Sequence, residues 1–145
     1  MKKLLVAVAL ALLAAACSPG LGSGSEWQRS YGRTFYEPNE GMAALYIIRD
    51  DPGAEASSIG ITKDQYPVGS LTGLTWMRLD LPPSLYDLRA YGTQGSTELI
   101  VTVNAGESRF LLAEPKPAGN AQLREILQPD GRRLVRKGQQ VANRP

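Results

Sequence analysis

The sequence predicts an all-β fold, an antiparallel sandwich of about seven strands. Between residues 42 and 127, short segments in which apolar side chains alternate with polar ones follow one another along the chain. Glycine, proline, aspartate and asparagine separate these segments at the spacing of turns. The sequence of this region has no long helical pattern, and the combination favours an antiparallel sandwich over a parallel α/β sheet.

The first three predicted strands lie in the first half of this region. Residues 42–49 are apolar with β-branched side chains at the centre, and they end at the turn signal Asp50-Asp51-Pro52-Gly53. Residues 58–63 alternate in polarity, and residues 66–71 are predicted to pair back onto them across a two-residue turn. Because Pro67 has no amide hydrogen to donate, the second strand of this hairpin is expected at the edge of a sheet.

The next four predicted strands are residues 74–81, 85–91, 97–103 and 108–113. In the first of these, alternation places Met77, Leu79 and Leu81 on one face, and Trp76, Arg78 and Asp80 on the other. The turn residues 104–107 predict that the last two strands form a hairpin. The side chains predicted to point into the core are Leu79, Tyr86, Leu88, Val101 and Phe110.

The C-terminal residues 128–145 follow a last predicted strand at residues 121–127 and are basic. They fit either a short helix with proline at an early position or a hairpin that turns at Asp130-Gly131. The basic side chains of this electrostatic surface are Arg132, Arg133, Arg136 and Lys137. They are interpreted either as a site for anionic head groups or an acidic protein, or as a solvated face that pairs with acidic side chains. The second is the more common role of exposed charge runs.

The N-terminus has the pattern of an export signal. Lys2 and Lys3 precede the apolar run 4–16, which is shorter than the stretch of about 20 residues that a membrane span needs. The run ends in small side chains directly before Cys17, the only cysteine of the chain. The segment resembles a bacterial lipoprotein signal peptide, although Ala14 stands where such signals prefer leucine. The resemblance implies that residues 1–16 are removed and that Cys17 is lipidated.

The lipid on Cys17 would anchor the mature protein stably, since two or more acyl chains suffice for this. By the sorting rule of such lipoproteins, Ser18 after the cysteine implies the outer membrane, with the domain facing the periplasm. Removal of residues 1–16 leaves 129 of 145 residues, enough for one small domain. It also removes two of the 16 basic side chains, so that 14 basic side chains remain against 14 acidic ones.

Residues 17–41 are expected to form a tether and an arm between the lipid and the domain. The glycine- and serine-rich stretch 18–25 has the composition of a flexible linker. Four aromatic side chains follow in the arm, namely Trp27, Tyr31, Phe35 and Tyr36. They either enlarge the small core or form a cluster for a ligand, and packing is the favoured interpretation. The predicted organisation is therefore signal peptide 1–16, tether and arm 17–41, sandwich 42–127 and basic segment 128–145.

Three stretches of the chain carry a family resemblance, namely residues 44–49, 64–71 and 79–90. They resemble the opening strand, the turn with its strand, and the strand-corner-strand unit of a widespread family of small bacterial lipoproteins, whose pattern overlaps that of PEGA domains. The match spans roughly residues 42–127, but Gln65 and Ser84 replace two glycines of the family. The resemblance implies a sandwich of immunoglobulin or transthyretin type and a location in the envelope. It implies almost nothing about activity.

Catalytic side chains are scarce in the sequence. The chain contains no histidine, which is the commonest general base at neutral pH and the commonest zinc ligand. Carboxylate chemistry is formally open to Asp50, Asp51, Asp80, Glu98 and Glu107. These acids are better interpreted as turn and surface residues. The sequence therefore predicts no enzyme, no metal and no cofactor.

The predicted function is that of a non-enzymatic binding or scaffold module for another envelope component, protein or complex. The alternative is a glycan- or peptidoglycan-binding module that uses Trp76, Tyr66 and Tyr91 as a stacking platform, which requires these rings to be exposed and coplanar. Against it, Trp76 could be covered by the arm or by the C-terminal segment. A carboxylate-dependent hydrolase is a further alternative. No nucleic-acid partner is expected.

Overall fold

The computed structural model describes residues 34–52 and 57–144, so the predicted signal peptide, Cys17 and the predicted linker lie outside the described residues. The described residues form two packed β-sheets, and the all-β sandwich prediction is confirmed. The strands in chain order are β1 (Ala43–Asp50), β2 (Ser58–Lys63), β3 (Tyr66–Thr72), β4 (Leu74–Leu81), β5 (Ser84–Tyr91), β6 (Ser96–Val103), β7 (Ser108–Lys116), β8 (Asn120–Ile126) and β9 (Gln139–Gln140). One helix in the described residues, α1 (Gln128–Lys137), lies between β8 and β9.

The two sheets have five and four strands. Their strand orders are β8-β7-β1-β4-β9 and β3-β2-β5-β6. Most neighbours pair antiparallel, as predicted, but β7 runs parallel to β1 and β9 runs parallel to β4. The central strand β1 is therefore held between one antiparallel neighbour and one parallel neighbour.

The main core lies between the two sheets. The predicted core residues Leu79, Tyr86, Leu88 and Val101 are all buried in it. Tyr86 also donates a hydrogen bond from its hydroxyl to the carbonyl oxygen of Pro82, at 2.8 Å. This bond satisfies the polar end of a largely buried ring and fixes the corner that leads into β5.

A second core covers the outer face of the five-stranded sheet, where α1 packs. It is formed by Ala44, Tyr46, Ile48, Trp76, Phe110, Leu112, Leu134 and Val135. Phe110 is buried as predicted, but it lies under the helix, because its neighbour Leu111 occupies the inner face of β7. Since both faces of this sheet are covered, β1 is buried at seven successive positions instead of at alternate ones.

The predicted hairpin between residues 97–103 and 108–113 is wrong. β6 pairs only with β5, in the four-stranded sheet, whereas β7 pairs with β1 and β8 in the other sheet. The turn between them carries the chain from one sheet to the other. Its backbone bonds to the start of β1, since Gly106 N donates to Met42 O and Ala44 N donates to Glu107 O.

The hairpin of β2 and β3 is confirmed, and β3 is an edge strand as Pro67 predicts. Asp64 and Gln65 form its turn with φ values of 49° and 71°. Tight hairpins need this left-handed conformation, which usually requires glycine. Asp64 is held there by the neighbouring strand, because its backbone N–H donates to Asp87 O and its carboxylate accepts from Asp87 N.

Residues 128–137 adopt the helical alternative. Pro129 lies in the first turn of α1, where its missing amide hydrogen costs no helical hydrogen bond. Gly131 faces Phe110 so closely that an added Cβ would lie 2.3 Å from ring atoms. The helix therefore approaches the sheet only because this position has no side chain. No described helix has the length and apolar character that crossing a bilayer requires.

Candidate functional site

The two outer faces of the sandwich are unequal. The outer face of the five-stranded sheet is covered by α1 and by the segment around Phe35. On the four-stranded sheet, no described segment covers the outward side chains of β5 and β6. This β5–β6 face consists of Leu85, Asp87, Arg89, Tyr91, Ser96, Glu98, Ile100 and Thr102. Three of them are large exposed apolar or aromatic side chains: Leu85 (62 % exposed), Ile100 (48 %) and Tyr91 (40 %).

The charged side chains of the β5–β6 face form one small network. Arg89 lies 3.2 Å from Asp87 on its own strand and also pairs with Glu98, which is directly opposite on β6. The hydrogen bonds that Arg89 donates to the Asp87 carboxylate, with further attraction from that carboxylate and from Glu98, raise the pKa of Arg89. The guanidinium therefore stays charged in the middle of the face.

Trp76, one of the proposed ring-stacking residues, does not meet the exposure condition, because it is fully buried. Alternation correctly places it away from the inter-sheet core, but α1 and the following residues cover that side. Its ring lies 6.0 Å from the ring of Tyr46, and a Cβ on Gly138 would be 3.2 Å from it. This arrangement is the alternative given by the sequence analysis, in which the C-terminal segment covers Trp76.

Tyr66 and Tyr91 are exposed, at 75 % and 40 %, but they flank opposite parts of β2. Tyr66 pairs with Lys63 at one end of the strand, and Tyr91 pairs with Gly60. Three residues along a strand and two strand spacings are each about 10 Å. The backbone therefore does not place the two tyrosines side by side as one platform.

The four predicted basic side chains of α1 divide into two pairs. Arg133 lies 3.0 Å from Asp130, and Lys137 lies 2.9 Å from Asp50, as the solvated-face interpretation expects. Arg132 and Arg136 have no carboxylate partner among the described residues. Their guanidinium groups lie 5.2 and 5.3 Å from the centre of the Phe35 ring. Within the described part of the chain, the basic surface therefore contains two cations that no carboxylate pairs.

Phe35 is the point at which the arm docks onto the domain. Its ring lies 5.8 Å from Tyr46 and 6.3 Å from Phe110, at tilted angles. Phe35 is thus half-buried in the second core, as the packing interpretation of the arm predicts. Tyr36 beside it is 56 % exposed. The other two predicted arm aromatics, Trp27 and Tyr31, lie outside the described residues.

Each of the five carboxylates considered for catalysis faces a basic side chain. The pairs are Asp50–Lys137, Asp51–Arg49, Asp80–Arg78, Glu98–Arg89 and Glu107–Arg109. Glycosidases instead place two carboxyl groups across a substrate from each other. No group of histidine, cysteine, aspartate and glutamate side chains in residues 34–52 and 57–144 could hold a metal ion.

Two buried arginines were not predicted as structural groups. Arg49, 2 % exposed, donates hydrogen bonds to Ser57 O at 2.8 Å and to Leu71 O at 3.1 Å. Arg78, 4 % exposed, donates to the Tyr46 hydroxyl at 2.9 Å and pairs with Asp80. Arg49 follows the apolar run 43–48, and Arg78 lies between Met77 and Leu79. This was the available signal, because a charge in such a strand needs several partners.

A groove of about 600 Å³ runs along the edge strand β3. It is lined by Pro67, Gly69, Ser70 and Thr72 on one side and by residues 141–144 on the other. The backbone N–H of Arg144 donates to Val68 O at 2.8 Å, so the C-terminal residues already occupy part of this edge. The groove contains no cluster of titratable side chains. A comparison of the chain with known proteins finds no matching family model and no matching curated protein.

Proposed function

We propose that this protein is a non-enzymatic binding or scaffold module of the bacterial envelope, related to the small PEGA-like lipoproteins and anchored through a lipid on Cys17. Its expected location is the outer membrane, with the domain in the periplasm. The observation that carries the proposal is the β5–β6 face, which is open and partly apolar on a domain whose other sheet is covered on both sides. The partner is another protein of the envelope.

The composition of the β5–β6 face supports a protein partner. Leu85 and Ile100 lie on adjacent strands in diagonal register, because Ile100 is directly opposite Asp87. Their side chains are therefore neighbours and form an apolar patch at one end of the face. Arg89 and Tyr91 continue the face along β5, and arginine and tyrosine are enriched at protein interfaces.

The position of the arm also supports the β5–β6 face as the binding surface. Phe35 docks on the outer face of the five-stranded sheet, whereas the β5–β6 face is on the opposite side of the sandwich. A domain tethered through this arm can turn the β5–β6 face away from its anchor. The partner-binding side and the anchored side are thus separate surfaces.

Site-specific photo-crosslinking in cells that produce the full chain tests this proposal. A benzophenone amino acid in place of Ile100, and in a second variant Leu85, is expected to give a discrete cross-linked product. The matched control carries the same group in place of Gln128, an exposed residue on the opposite side. A second polypeptide identified in the product by mass spectrometry supports a protein partner, and a product that muramidase returns to the mobility of the uncross-linked chain supports the glycan alternative. Equal products from all three positions would refute the β5–β6 face as the binding surface.

A further inference from the structure

We infer that Arg132 and Arg136 form a binding site for the phosphate of an anionic phospholipid head group, so that the α1 side of the domain contacts the bilayer. This site goes beyond the proposed function, since it lies on the face opposite to the β5–β6 face. We call these two residues the arginine pair.

The arrangement of the arginine pair points to a missing anion. The two residues are four positions apart on α1, so their side chains project from one helix face next to each other. Like charges at this spacing destabilise a helix. Both guanidinium groups nevertheless converge on a single ring, that of Phe35, and no described carboxylate neutralises them.

A second observation concerns the Nε–H of Arg132. This group is buried and has no hydrogen-bond partner among the residues that the structure describes. A buried charged donor without an acceptor is costly, and such groups in native structures generally mark a bound ion, water or ligand. Because this Nε–H is enclosed, a head-group phosphate is expected to bond to the other guanidinium nitrogens of the pair, since arginine offers several donors in a planar fork.

The surroundings of the arginine pair favour a bilayer as the source of the phosphate. Tyr36, the neighbour of Phe35 in the chain, has an aromatic side chain that is 56 % exposed. Exposed apolar side chains beside basic ones are typical of surfaces that lie on anionic membranes.

The path of the chain favours the same source. Cys17 lies 18 positions before Phe35, and this length of chain reaches at most about 60 Å. If Cys17 is lipidated as proposed, the arm joins the domain at the arginine pair and keeps it within that distance of the bilayer. This step rests on the proposed lipid anchor, whereas the geometry of the pair does not.

Vesicle binding by a protein that begins at Ser18 tests the inference separately from lipidation. This protein keeps every described residue and lacks the apolar run 4–16, which would bind vesicles by itself. Co-sedimentation is measured with vesicles of phosphatidylcholine alone and with vesicles that contain one-quarter phosphatidylglycerol, at low and moderate salt. The variant Arg132→Gln/Arg136→Gln is compared with Lys116→Gln/Arg144→Gln, which loses the same charge elsewhere on the surface. Melting curves establish that all three proteins are folded.

The parent protein and the Lys116→Gln/Arg144→Gln control are expected to bind the anionic vesicles in a salt-sensitive manner. The Arg132→Gln/Arg136→Gln variant is expected to bind about 30-fold more weakly, the loss expected for two charges near a membrane surface. Equal losses in both variants would mean that only net charge matters and would overturn the site. Absence of any preference for the anionic vesicles would also overturn it, as would binding of inorganic phosphate without binding of vesicles.

Discussion

Leu88 and Leu85 show how strongly position on one strand determines the role of a residue. They are three positions apart on β5, yet Leu88 is fully buried between the sheets and Leu85 is 62 % exposed. The two residues are chemically identical, so they separate the effect of burial from that of side-chain type. Alternation along β5 predicted the burial of Leu88.

Replacing Leu88 with alanine should lower the free energy of unfolding by about 2 to 5 kcal/mol, because the change leaves a cavity in the main core. The matched variant Leu85→Ala should change it by no more than about 0.5 kcal/mol. Urea unfolding followed by tryptophan fluorescence measures both. Equal losses in the two variants would contradict the strand phase.

Glu114 predicts a dependence of stability on pH. Arg124 hydrogen-bonds to its carboxylate at 3.0 Å and, with Lys116 nearby, lowers the pKa of Glu114 below its ordinary value. A group whose pKa is lowered in the folded state stabilises the protein above its unfolded pKa. This contribution is lost as the pH falls through the folded pKa.

Glu114→Gln should therefore reduce stability at pH 7 by less than about 1 kcal/mol, the range of exposed ion pairs. The difference from the parent protein should shrink below about pH 4.3, where the carboxylate of the unfolded chain protonates. Thermal melts between pH 3 and 7 test this, with Glu40→Gln, a change at an exposed carboxylate, as the control. A difference that stays constant with pH would contradict the assigned role of the Arg124 pair.

At the scale of elements, alternation predicted where the strands are but not which strands are neighbours. The predicted bounds of β4 agree with the structure, and the edge position of β3 follows from Pro67. Alternation reports which face of a strand is buried, and a strand has the same pattern in either sheet. The short turn after β6 therefore suggested a hairpin, although its backbone bonds to the start of β1 instead.

The choice between a helix and a hairpin for residues 128–137 could not be made from the sequence, for a related reason. Asp130-Gly131 is a good hairpin turn by composition, and the sequence alone does not show that Gly131 serves close packing on Phe110. In most exposed helices, glycine to alanine stabilises by up to about 1 kcal/mol. At position 131, the same substitution should instead lower the stability of the protein.

Gly131→Ala should destabilise the protein by about 1 to 3 kcal/mol, because the new Cβ would overlap the Phe110 ring and push α1 off the sheet. Gln128→Ala, at an exposed position of the same helix, serves as the control for helix propensity. Chemical denaturation measures both changes. Stabilisation by Gly131→Ala would show that the helix does not pack as closely as described.

At the scale of the whole molecule, we propose two binding surfaces on opposite sides of the domain, and the sequence located only part of each. Arg132 and Arg136 were identified within a basic run, but the distinction between them and the paired Arg133 and Lys137 depends on Asp130, Asp50 and the fold. Trp76 was proposed as exposed because nothing in its strand reveals a helix packed above it. The β5–β6 face emerged only once the other sheet was seen to be covered.

Lipidation of Cys17 is a prediction that must be tested with the full chain, produced in bacterial cells. Cys17→Ser should abolish incorporation of an alkyne-labelled fatty acid and release the protein from its membrane fraction, because the sulfur that carries the lipid is gone. Ser18→Ala should retain the label and serves as the control. Unchanged labelling of the Cys17→Ser protein would remove the argument for an anchored domain.

The parallel pairing of β1 and β7 has a consequence for folding kinetics. Tyr46 is directly opposite Phe110, so the first strand of the domain completes its hydrogen bonds only with a segment 64 positions later in the chain. Pairings this distant in sequence slow folding, typically to milliseconds or seconds, because the entropy of closing the loop is lost first. A chain still being synthesised cannot complete its central strand until Leu112 has emerged. For the export that we propose, this delay keeps the chain extended while it crosses the membrane.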